Sequence, residues 1–264
     1  MGGGRCLKGD RGTLSYLRWR LDPAQFFADA VGNPPDPWQA DLMRSRFKNI
    51  ILNASRQSGK SQTTAILALW HALFVPESLI LVLAPALRQS QELFQKILGA
   101  LRDLGTAIPV SPSAERRLSL DLENGSRILT LPGSEKTIRG FSAVSLLIID
   151  EASRVPDELY FAVRPMLAVS NGSLVMLSTP YGKRGVFYEA WESPVGWEKY
   201  QVTAHEVDRI TPKFMEEERA SLPPFIFRQE YECSFEETED QVFTTDLIDR
   251  AVTDEVQPLF GAVG

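Results

Sequence analysis

Short apolar runs alternate with longer, helix-like segments along most of the chain. The apolar runs cover residues 49–54, 79–84, 144–150 and 173–178, and polar or turn residues bound each of them. Runs of this length are typical of strands buried on both faces of a parallel sheet. Residues 61–74, 87–104 and 157–167 have the length and composition of helices. The alternation predicts an α/β fold with a mainly parallel central sheet flanked by helices.

Residues 117–131 follow a different pattern. Leucines at alternate positions from 118 to 122 are separated by polar residues, and Asn124-Gly125 supplies a turn before the apolar return segment. An Asn-Gly pair between two alternating segments is a strong signal for a tight two-strand connection. We therefore expect a β-hairpin insertion between the helix over 87–104 and the apolar run over 144–150.

The two ends of the chain differ from its middle. The first twenty residues carry five basic side chains and several glycines, which predicts a loosely held basic arm over residues 1–20. After Trp197 the pattern changes to a strand, an acidic helix over 212–221 and an aromatic-rich stretch. We expect a core domain over 21–200 and a small C-terminal lid subdomain over 201–264.

Composition and charge narrow the class of protein. The 264 residues include 44% hydrophobic and 23% charged side chains, which suits one large globular domain. No apolar run reaches the length of a membrane span, so no membrane partner is expected. Cys6 and Cys233 are far apart and lack metal-ligand spacing, as expected for free thiols in a reducing cytoplasm. The net charge of −6 implies that any nucleic-acid contact is a local basic strip.

Residues 54–61 read ASRQSGKS and fit the P-loop pattern, except that Ala54 replaces its first glycine. The segment follows a predicted strand and opens a predicted helix, which is the context that a P-loop needs. Its backbone N–H groups and the positive end of the helix would both point at phosphates. Lys60 would reach the β- and γ-phosphates of ATP, and the Ser61 hydroxyl would ligate Mg²⁺. The alternative is a surface turn with an incidental lysine. The residues predicted to bind ATP here are Ser55, Arg56, Gln57, Ser58, Gly59, Lys60, Ser61 and Gln62.

Two acids follow the apolar run over 144–150. Asp150 ends this predicted strand, at the edge where α/β sheets bind ligands, and could hold Mg²⁺ through its water shell. Glu151 is then placed to polarise the attacking water as a general base. The alternative is a pair of acids that begins a helix. The 90 residues between Lys60 and Asp150 leave room for an extra strand, which favours the RecA-like class over small GTPases.

Three further segments carry candidate chemistry. Ser178 and Thr179 end the next apolar run and could sense the γ-phosphate through water, unless Pro180 merely stops the strand there. Arg139 precedes a glycine in a predicted loop and could present a permanently charged fork to phosphate. Arg56, within the P-loop, competes for the same role.

Trp38 and Gln39 lie just ahead of the P-loop strand. A glutamine amide can hydrogen-bond the adenine edge in both directions, and a nearby aromatic ring can brace it. Trp38 could equally be a core residue.

Together these residues resemble the ATPase domain of the large terminase subunit, the motor that packages DNA into tailed-phage heads. The resemblance implies a RecA-like P-loop NTPase fold (the ASCE class) with ATP as substrate and Mg²⁺ as cofactor. It also implies that Ser178 and Thr179 form a coupling motif. Arg139 would be an arginine finger donated to a neighbouring subunit, with Arg56 acting in its own subunit as the alternative. The matching segments run in the family's order and are Trp38-Gln39, Ser55 to Ser61, Ile138-Arg139-Gly140, Asp150-Glu151-Ala152, Ser178-Thr179-Pro180 and Gln229-Glu230-Tyr231 through Phe235.

The same resemblance implies partners and a location. Double-stranded DNA, further copies of the chain in a ring, the portal protein and the small terminase subunit are the expected partners. The expected location is the cytoplasm of the infected bacterial host, with transient binding at the procapsid portal. Large terminases usually carry a C-terminal nuclease, and the expectation here is a motor domain without it. The acidic run of Glu236, Glu237, Glu239 and Asp240 is predicted to be a solvated loop rather than a metal site.

Two other functions share part of this evidence. A helicase-type ATPase has a similar glutamine, acidic pair and Ser-Thr-Pro strand end, but generally needs a second RecA-like domain. A nucleotide-gated binding protein without turnover is disfavoured by Glu151. Candidate DNA contacts, with ordinary surface arginines as the alternative, are Arg102, Arg116, Arg117 and Arg127.

Overall fold

A computed structural model of the chain describes residues 10–105, 112–133, 138 and 140–237. Arg139 therefore lies outside the described residues, as do Cys6, Glu239 and Asp240. The strands are β1 (Asn49–Ala54), β2 (Leu79–Ala84), β3 (Pro112–Arg116), β4 (Ser119–Leu122), β5 (Arg127–Pro132), β6 (Val144–Asp150), β7 (Ser173–Ser178) and β8 (Glu198–Val202). The α-helices of this part of the chain are α1 (Asp10–Leu21), α2 (Pro23–Val31), α3 (Pro37–Arg44), α4 (Lys60–Phe74), α5 (Leu87–Leu104), α6 (Asp157–Val163), α7 (Gly185–Glu192), α8 (Pro212–Ser221) and α9 (Pro224–Tyr231).

The eight strands form one sheet in the order β3-β4-β5-β2-β6-β7-β1-β8. In this order, each strand from β5 onward pairs in parallel with the next, as far as β8. β4 pairs antiparallel with both of its neighbours, β3 and β5. This arrangement confirms the predicted α/β class with a mainly parallel sheet. β7 lies between β1, which precedes the P-loop, and β6, which carries the acidic pair. The extra strand expected from the 90-residue spacing of the two motifs is β2, which lies between them in sequence and next to β6 in the sheet.

The predicted hairpin is part of the central sheet. β4 and β5 pair around Asn124-Gly125, and β5 continues in parallel register with β2. The Asn124 side chain donates to Ala72 O at 2.9 Å, which ties the turn to the end of α4. Gly125 has a φ of 82°, which a residue with a side chain rarely adopts. β3 adds a further strand outside the hairpin that the sequence pattern did not predict.

One predicted helix changes type before its end. Residues 157–167 begin as α6, but the segment Arg164–Leu167 is a 3₁₀ turn. Pro165 has no backbone N–H to donate to the preceding turn, and its ring opposes a continued α-helix.

Apolar side chains pack on both faces of the sheet, because successive residues of a strand point to opposite faces. Ile148 of β6 joins the first core layer with α2, α4 and α5, whereas Leu147 and Ile149 join the second layer with α6 and α7. A third small core, which includes Met215, lies among α8, α9 and the residues after β8.

The segment predicted to be a loose arm is ordered helix from Asp10 onward. Trp19 of α1 is only 4% exposed, and its indole donates to Asp29 at 2.6 Å. Its carbonyl accepts from the Trp70 indole at 2.8 Å. Burial of Trp19 thus holds the second half of α1 against the core, and a basic arm over residues 1–20 stays a prediction. Among the described helices, none combines the length and apolar composition that crossing a membrane requires.

Candidate nucleotide-binding site

A cleft of about 420 Å³ opens at the carboxyl edge of the sheet, where β1, β7 and β6 end side by side. This is the edge where parallel α/β sheets bind ligands. The cleft is lined by Arg56, Gln57, Ser58, Gly59, Lys60, Ser61, Gln62, Gln89, Lys96, Glu151, Arg154 and Thr179. The structure thus brings the P-loop, the acidic pair and the Ser-Thr strand end together, as the sequence predicted. Gln89 and Lys96 of α5 were not predicted; their spacing of seven, two helical turns, places them on one face of the helix.

The P-loop turns sharply between β1 and α4. Gln57 and Gly59 both have positive φ values, of 60° and 99°. A Cβ atom on Gly59 would lie 2.9 Å from Gln39 Nε2, so the Gln39 amide would have to move. Ser58 donates to Ser55 O at 2.8 Å and closes the loop on itself. The Ser55 hydroxyl is buried, has no hydrogen-bond partner among the described residues and does not line the cleft.

Lys60 is buried at the floor of the cleft. Its ammonium donates to Ala54 O at 2.9 Å, to Ser55 O at 2.8 Å and to Thr179 Oγ1 at 3.1 Å. Burial lowers its pKa, while the charges of Glu151 and Asp150 oppose that shift. A desolvated ammonium surrounded by oxygen acceptors favours an anionic ligand that adds further oxygens.

The two acids have different surroundings. Asp150 is buried, and burial first and the charge of Glu151 second raise its pKa to about 7. The neighbouring Lys60 and a 3.1 Å bond from the Glu151 N–H partly oppose this shift. Glu151 has a φ of 50°, in the left-handed region that costs free energy for a residue with a side chain. This backbone conformation turns the chain so that Glu151 lines the cleft.

The acidic pair fits a divalent cation. A buried carboxylate next to a second one needs positive charge, and the Asp150 carboxylate and Ser61 hydroxyl are the oxygen ligands that Mg²⁺ prefers. Among the described residues there is no group of three His, Cys, Asp or Glu side chains that could hold a metal. Mg²⁺ here would therefore depend on phosphate oxygens and water for most of its ligands.

The end of β7 contacts the acidic pair through hydroxyl groups. Ser178 and Thr179 are both buried, and Ser178 Oγ lies 3.3 Å from Glu151 Oε2. Ser153, which was not predicted, has its Oγ 2.7 Å from Ser178 Oγ and 2.8 Å from Thr179 O. Its place two residues after Glu151 gave no signal, since serine is common in such turns.

Arg56 is held by Glu230 of α9. Its Nε donates to Glu230 Oε2 at 2.5 Å, and its backbone N–H donates to Glu230 O at 3.1 Å. Arg154 Nη2 lies 3.8 Å from the other Glu230 oxygen, and its guanidinium stacks 4.3 Å from the centre of the Tyr181 ring. Glu230 itself is buried. The structure therefore links the P-loop arginine to the C-terminal segment, defined here as residues 203–237.

Arg209 forms a second link between the C-terminal segment and the P-loop. Its guanidinium donates to both Asp36 oxygens, at 2.9 and 3.1 Å, and to Ser58 O at 3.1 Å. Asp36 is the N-cap residue of α3. The sequence gave no signal for this contact, because 173 positions separate the two charged partners.

The Trp38-Gln39 segment lies beside the P-loop but does not line the cleft. The Gln39 amide accepts from the Asp36 N–H at 2.8 Å and donates to Thr63 Oγ1 at 3.0 Å. Trp38 packs against the first core layer, which favours the core alternative for this residue. Adenine recognition by Gln39 stays a prediction.

The four arginines predicted to contact DNA come from α5 and from the β3–β5 region. Arg116 pairs with Ser119 and Arg127 with Asp121, so these two arginines lie on the same face of the sheet, on strands either side of β4. Arg127 pairs with Asp121 at 2.9 Å.

The other two arginines of this set lie near α5. Arg102 Nε donates to Leu98 O at 3.2 Å, within its own helix. With the Gln91 amide turned to accept, Arg117 Nη2 donates to it at 2.7 Å. DNA contact by any of the four stays a prediction.

In the acidic run, Glu236 forms a 2.6 Å ion pair with Arg228, and that hydrogen bond lowers the pKa of Glu236. This carboxylate therefore has a cationic partner from the chain itself. Glu239 and Asp240 fall outside the described residues.

Known proteins match both the sequence and the fold. The family model described as "Terminase large subunit, T4likevirus-type, N-terminal" matches residues 51–250. The large terminase subunit of Thermus virus P23-45 is 27% identical over an alignment of 262 residues, which covers 85% of this chain and 53% of that protein. This chain thus spans about half the length of the curated relatives it matches.

Two solved structures share the fold. The ATPase domain of the Thermus phage P74-26 large terminase superimposes with a TM-score of 0.73 at 24% identity, over 81% of this chain and 99% of that one. A large terminase from another thermophilic bacteriophage, solved in complex with ADP, gives a TM-score of 0.62 at 13% identity, over 76% of this chain and 54% of that one. Both likenesses support the RecA-like class, and the family match favours a terminase over a helicase. Since the family model covers 200 of the 264 residues, this chain belongs to the family of terminase large-subunit N-terminal domains.

Proposed function

We propose that this chain is the ATP-hydrolysing motor domain of a phage terminase and couples hydrolysis to the translocation of double-stranded DNA into a procapsid. The observation that carries the proposal is the convergence of Lys60, Glu151 and Thr179 in one cleft at the ends of three adjacent strands. Lys60 binds phosphate and Glu151 accepts the proton of the attacking water. Thr179 contacts both Lys60 and Ser153, which follows β6.

ATP would bind with its phosphates over the P-loop. The backbone N–H groups before α4 and the positive end of that helix attract the phosphate oxygens. Lys60 would exchange its carbonyl acceptors for β- and γ-phosphate oxygens. Mg²⁺, when bound by Ser61 and Asp150, supplies positive charge that offsets the phosphates. The second of the two solved terminases shares this fold and was solved in complex with ADP, which supports a nucleotide as the ligand.

Hydrolysis requires a base and additional positive charge. Glu151 lines the cleft and would accept the proton of the attacking water. Arg56 would stabilise the charge that develops on the γ-phosphate from within the same chain, while Arg139 would do so from a neighbour in a ring. An arginine finger contributes on the order of 10³–10⁵ in rate. Translocation requires that this cycle moves the C-terminal segment, which Arg56 and Arg209 tie to the P-loop.

The proposed partners of this chain are further copies of itself in a ring, DNA, the portal protein and the small subunit. If Arg139 acts in a neighbouring subunit, specific ATPase activity rises with protein concentration. An Arg139→Ala protein mixed with a Glu151→Ala protein then regains activity. A mixture that stays inactive would contradict action between neighbours.

The decisive test of the proposal is Glu151→Gln, which keeps the shape of the side chain but removes its basicity. Turnover of Mg-ATP, measured as phosphate release, should fall at least about 10²-fold. Binding of a fluorescent ATP analogue should stay within about threefold, since a general base adds little ground-state affinity. The matched control is Glu158→Gln, an exposed acid in the first turn of α6, which should retain full turnover. Undiminished hydrolysis by the Glu151→Gln protein would refute the proposed chemistry.

A further inference from the structure

Two serine hydroxyl groups connect Glu151 to the main chain at the end of β7. Ser178 Oγ lies 3.3 Å from Glu151 Oε2 and 2.7 Å from Ser153 Oγ. Ser153 Oγ also lies 2.8 Å from the carbonyl oxygen of Thr179. The three contacts form one continuous path, which starts at the candidate base and ends at the backbone of the predicted coupling motif.

The path has three oxygen–oxygen contacts but only two hydrogens, because each hydroxyl group donates once. In one arrangement Ser153 donates to Ser178, and Ser178 donates to Glu151. In the other, Ser178 donates to Ser153, and Ser153 donates to the Thr179 carbonyl. Of the two remaining arrangements, one leaves lone pairs facing each other across the 2.7 Å contact between the two hydroxyl groups, and the other places both hydrogens in that contact. A hydrogen bond to Glu151 and one to Thr179 O therefore exclude each other.

The other end of the path touches the phosphate-binding lysine. Thr179 Oγ1 accepts a hydrogen bond from Lys60 Nζ at 3.1 Å. If Lys60 changes its acceptors when phosphate binds, the Thr179 side chain loses its bond to Lys60. The main chain of Thr179 is then less restrained. A small displacement of its carbonyl changes which of the two arrangements is favoured, since hydrogen bonds weaken steeply with distance and angle.

We propose that Ser153 is a positioning residue that makes the hydrogen bond from Ser178 to Glu151 depend on the Thr179 main chain. The inference rests on the proposed function, in which Glu151 is the base. Ser153 does not line the cleft, and its hydroxyl reaches Glu151 through Ser178.

A purely local role for Ser153 does not account for its contacts. Its own turn, residues 152–154, is closed by backbone bonds from Arg154 N to Glu151 O at 2.9 Å and from Val155 N to Ala152 O at 3.3 Å. The Ser153 hydroxyl instead reaches across to the neighbouring strand β7, where it meets two buried residues.

The test compares Ser153→Ala, Ser178→Ala and the double variant in steady-state hydrolysis of Mg-ATP. Without Ser153, Ser178 keeps Glu151 as its acceptor, so the switch between arrangements is lost. We expect kcat to change about three- to tenfold, which corresponds to the free energy of one hydrogen bond. KM should stay within about twofold of the parent value. Ser153→Thr, which keeps the hydroxyl group, should restore kcat. The double variant should match Ser178→Ala alone, because Ser153 acts only through Ser178.

Ser170→Ala is the matched control. The Ser170 hydroxyl donates to Val144 O at 2.5 Å, at the opposite end of β6, and its loss should leave kcat unchanged. Ser153→Cys, nearly the same size but a weak donor, replaces Ser153→Ala if the alanine variant does not fold.

Three results would overturn the inference: an unchanged kcat, a change confined to KM, or effects of Ser153→Ala and Ser178→Ala that multiply in the double variant. Failure of the proposed function looks different. In that case Glu151→Gln retains hydrolysis, whatever the serine variants do.

Discussion

Two halves of the candidate site meet at the P-loop, and different forces hold them in place. In the first half, Lys60, Asp150 and Ser178 adjoin or end strands whose side chains are buried on both faces. In the second half, Arg209 and Glu230 come from the C-terminal segment, which follows β8 and includes two short helices. We call these the sheet half and the C-terminal half of the site.

The strength of attachment differs between the halves. Moving a strand of the sheet half would expose a continuous apolar layer, at about 25 cal/mol per Å². The C-terminal half is tied to the P-loop by two ion pairs, in which the Arg56 and Arg209 side chains are 60% and 54% exposed and their acidic partners only 11% and 21%. Val207 and Phe235 of the same segment pack against the first and second core layers. A pair with one buried partner costs more to break than a fully exposed pair, which contributes roughly 0–1 kcal/mol. The polar contacts that join the C-terminal half to the P-loop are therefore easier to break than the apolar packing that holds the sheet half.

The largest effect should come from the sheet half. Lys60→Met keeps the length and apolar stem of the side chain but removes the charge that binds phosphate. We expect ATP turnover to fall by about 10²–10³-fold, as when a preorganised donor to developing charge is lost. Turnover is measured as phosphate release. The control is Lys213→Met, which replaces an exposed lysine of α8 that pairs with Glu217. Turnover above a tenth of the parent value would show that the sheet half is not essential.

A smaller effect is expected at Glu230. Glu230→Gln retains the size of the side chain but removes the charge that orients Arg56, so kcat should fall about tenfold, the equivalent of about 1.4 kcal/mol. KM should change little, since Lys60 and the P-loop still bind the phosphates. The control is Glu232→Gln, which breaks the exposed pair with Arg219 in the same segment. If Arg56→Ala and Glu230→Gln lower kcat independently, the two residues do not act as a pair.

The sequence predicted the sheet half well because burial leaves a visible pattern. The runs at 49–54, 79–84, 144–150 and 173–178 match the observed strands, since uninterrupted apolar residues are needed on both faces of a parallel sheet. Residues directly after such strands must lie at one edge. The position of Glu151 and Thr179 followed from this geometry alone.

The C-terminal half could not be predicted in the same way. The pair of Arg209 with Asp36 and the pair of Arg56 with Glu230 join charged residues that are more than 170 positions apart. Charged residues are common on every surface, so no local pattern selects these partners. The Gln-Glu-Tyr segment was noticed only through the family resemblance. Ser153 was missed for the same reason, since its partners are set by the pairing of β6 with β7.

A still smaller effect on turnover is expected at Arg209. Arg209→Ala removes the link among Asp36, Ser58 O and the residues after β8, and the P-loop loses one restraint. We expect KM for ATP to rise about three- to fivefold with kcat within twofold, the size of one charged hydrogen bond on a half-exposed side chain. Arg44→Ala is the matched control, because the Arg44 side chain is 52% exposed, close to the 54% of Arg209, and its pair with Asp22 lies away from the cleft. An equal rise in KM for both variants would mean that Arg209 has no specific role.

Attachment of the C-terminal half can also be measured without turnover, through the thiol reactivity of Cys233. Its thiol is buried, which raises its pKa to about 12, and Asn53 of β1 donates to its carbonyl at 2.9 Å. At pH 8 the folded thiol should therefore carry roughly 10³-fold less thiolate than a free cysteine, and alkylation should proceed only when the C-terminal half detaches. In a Cys6→Ser background, Glu230→Gln should speed this alkylation severalfold, because one tie to the P-loop is lost. Equal rates in the parent and the Glu230→Gln protein would show that the C-terminal half is held as firmly as the sheet.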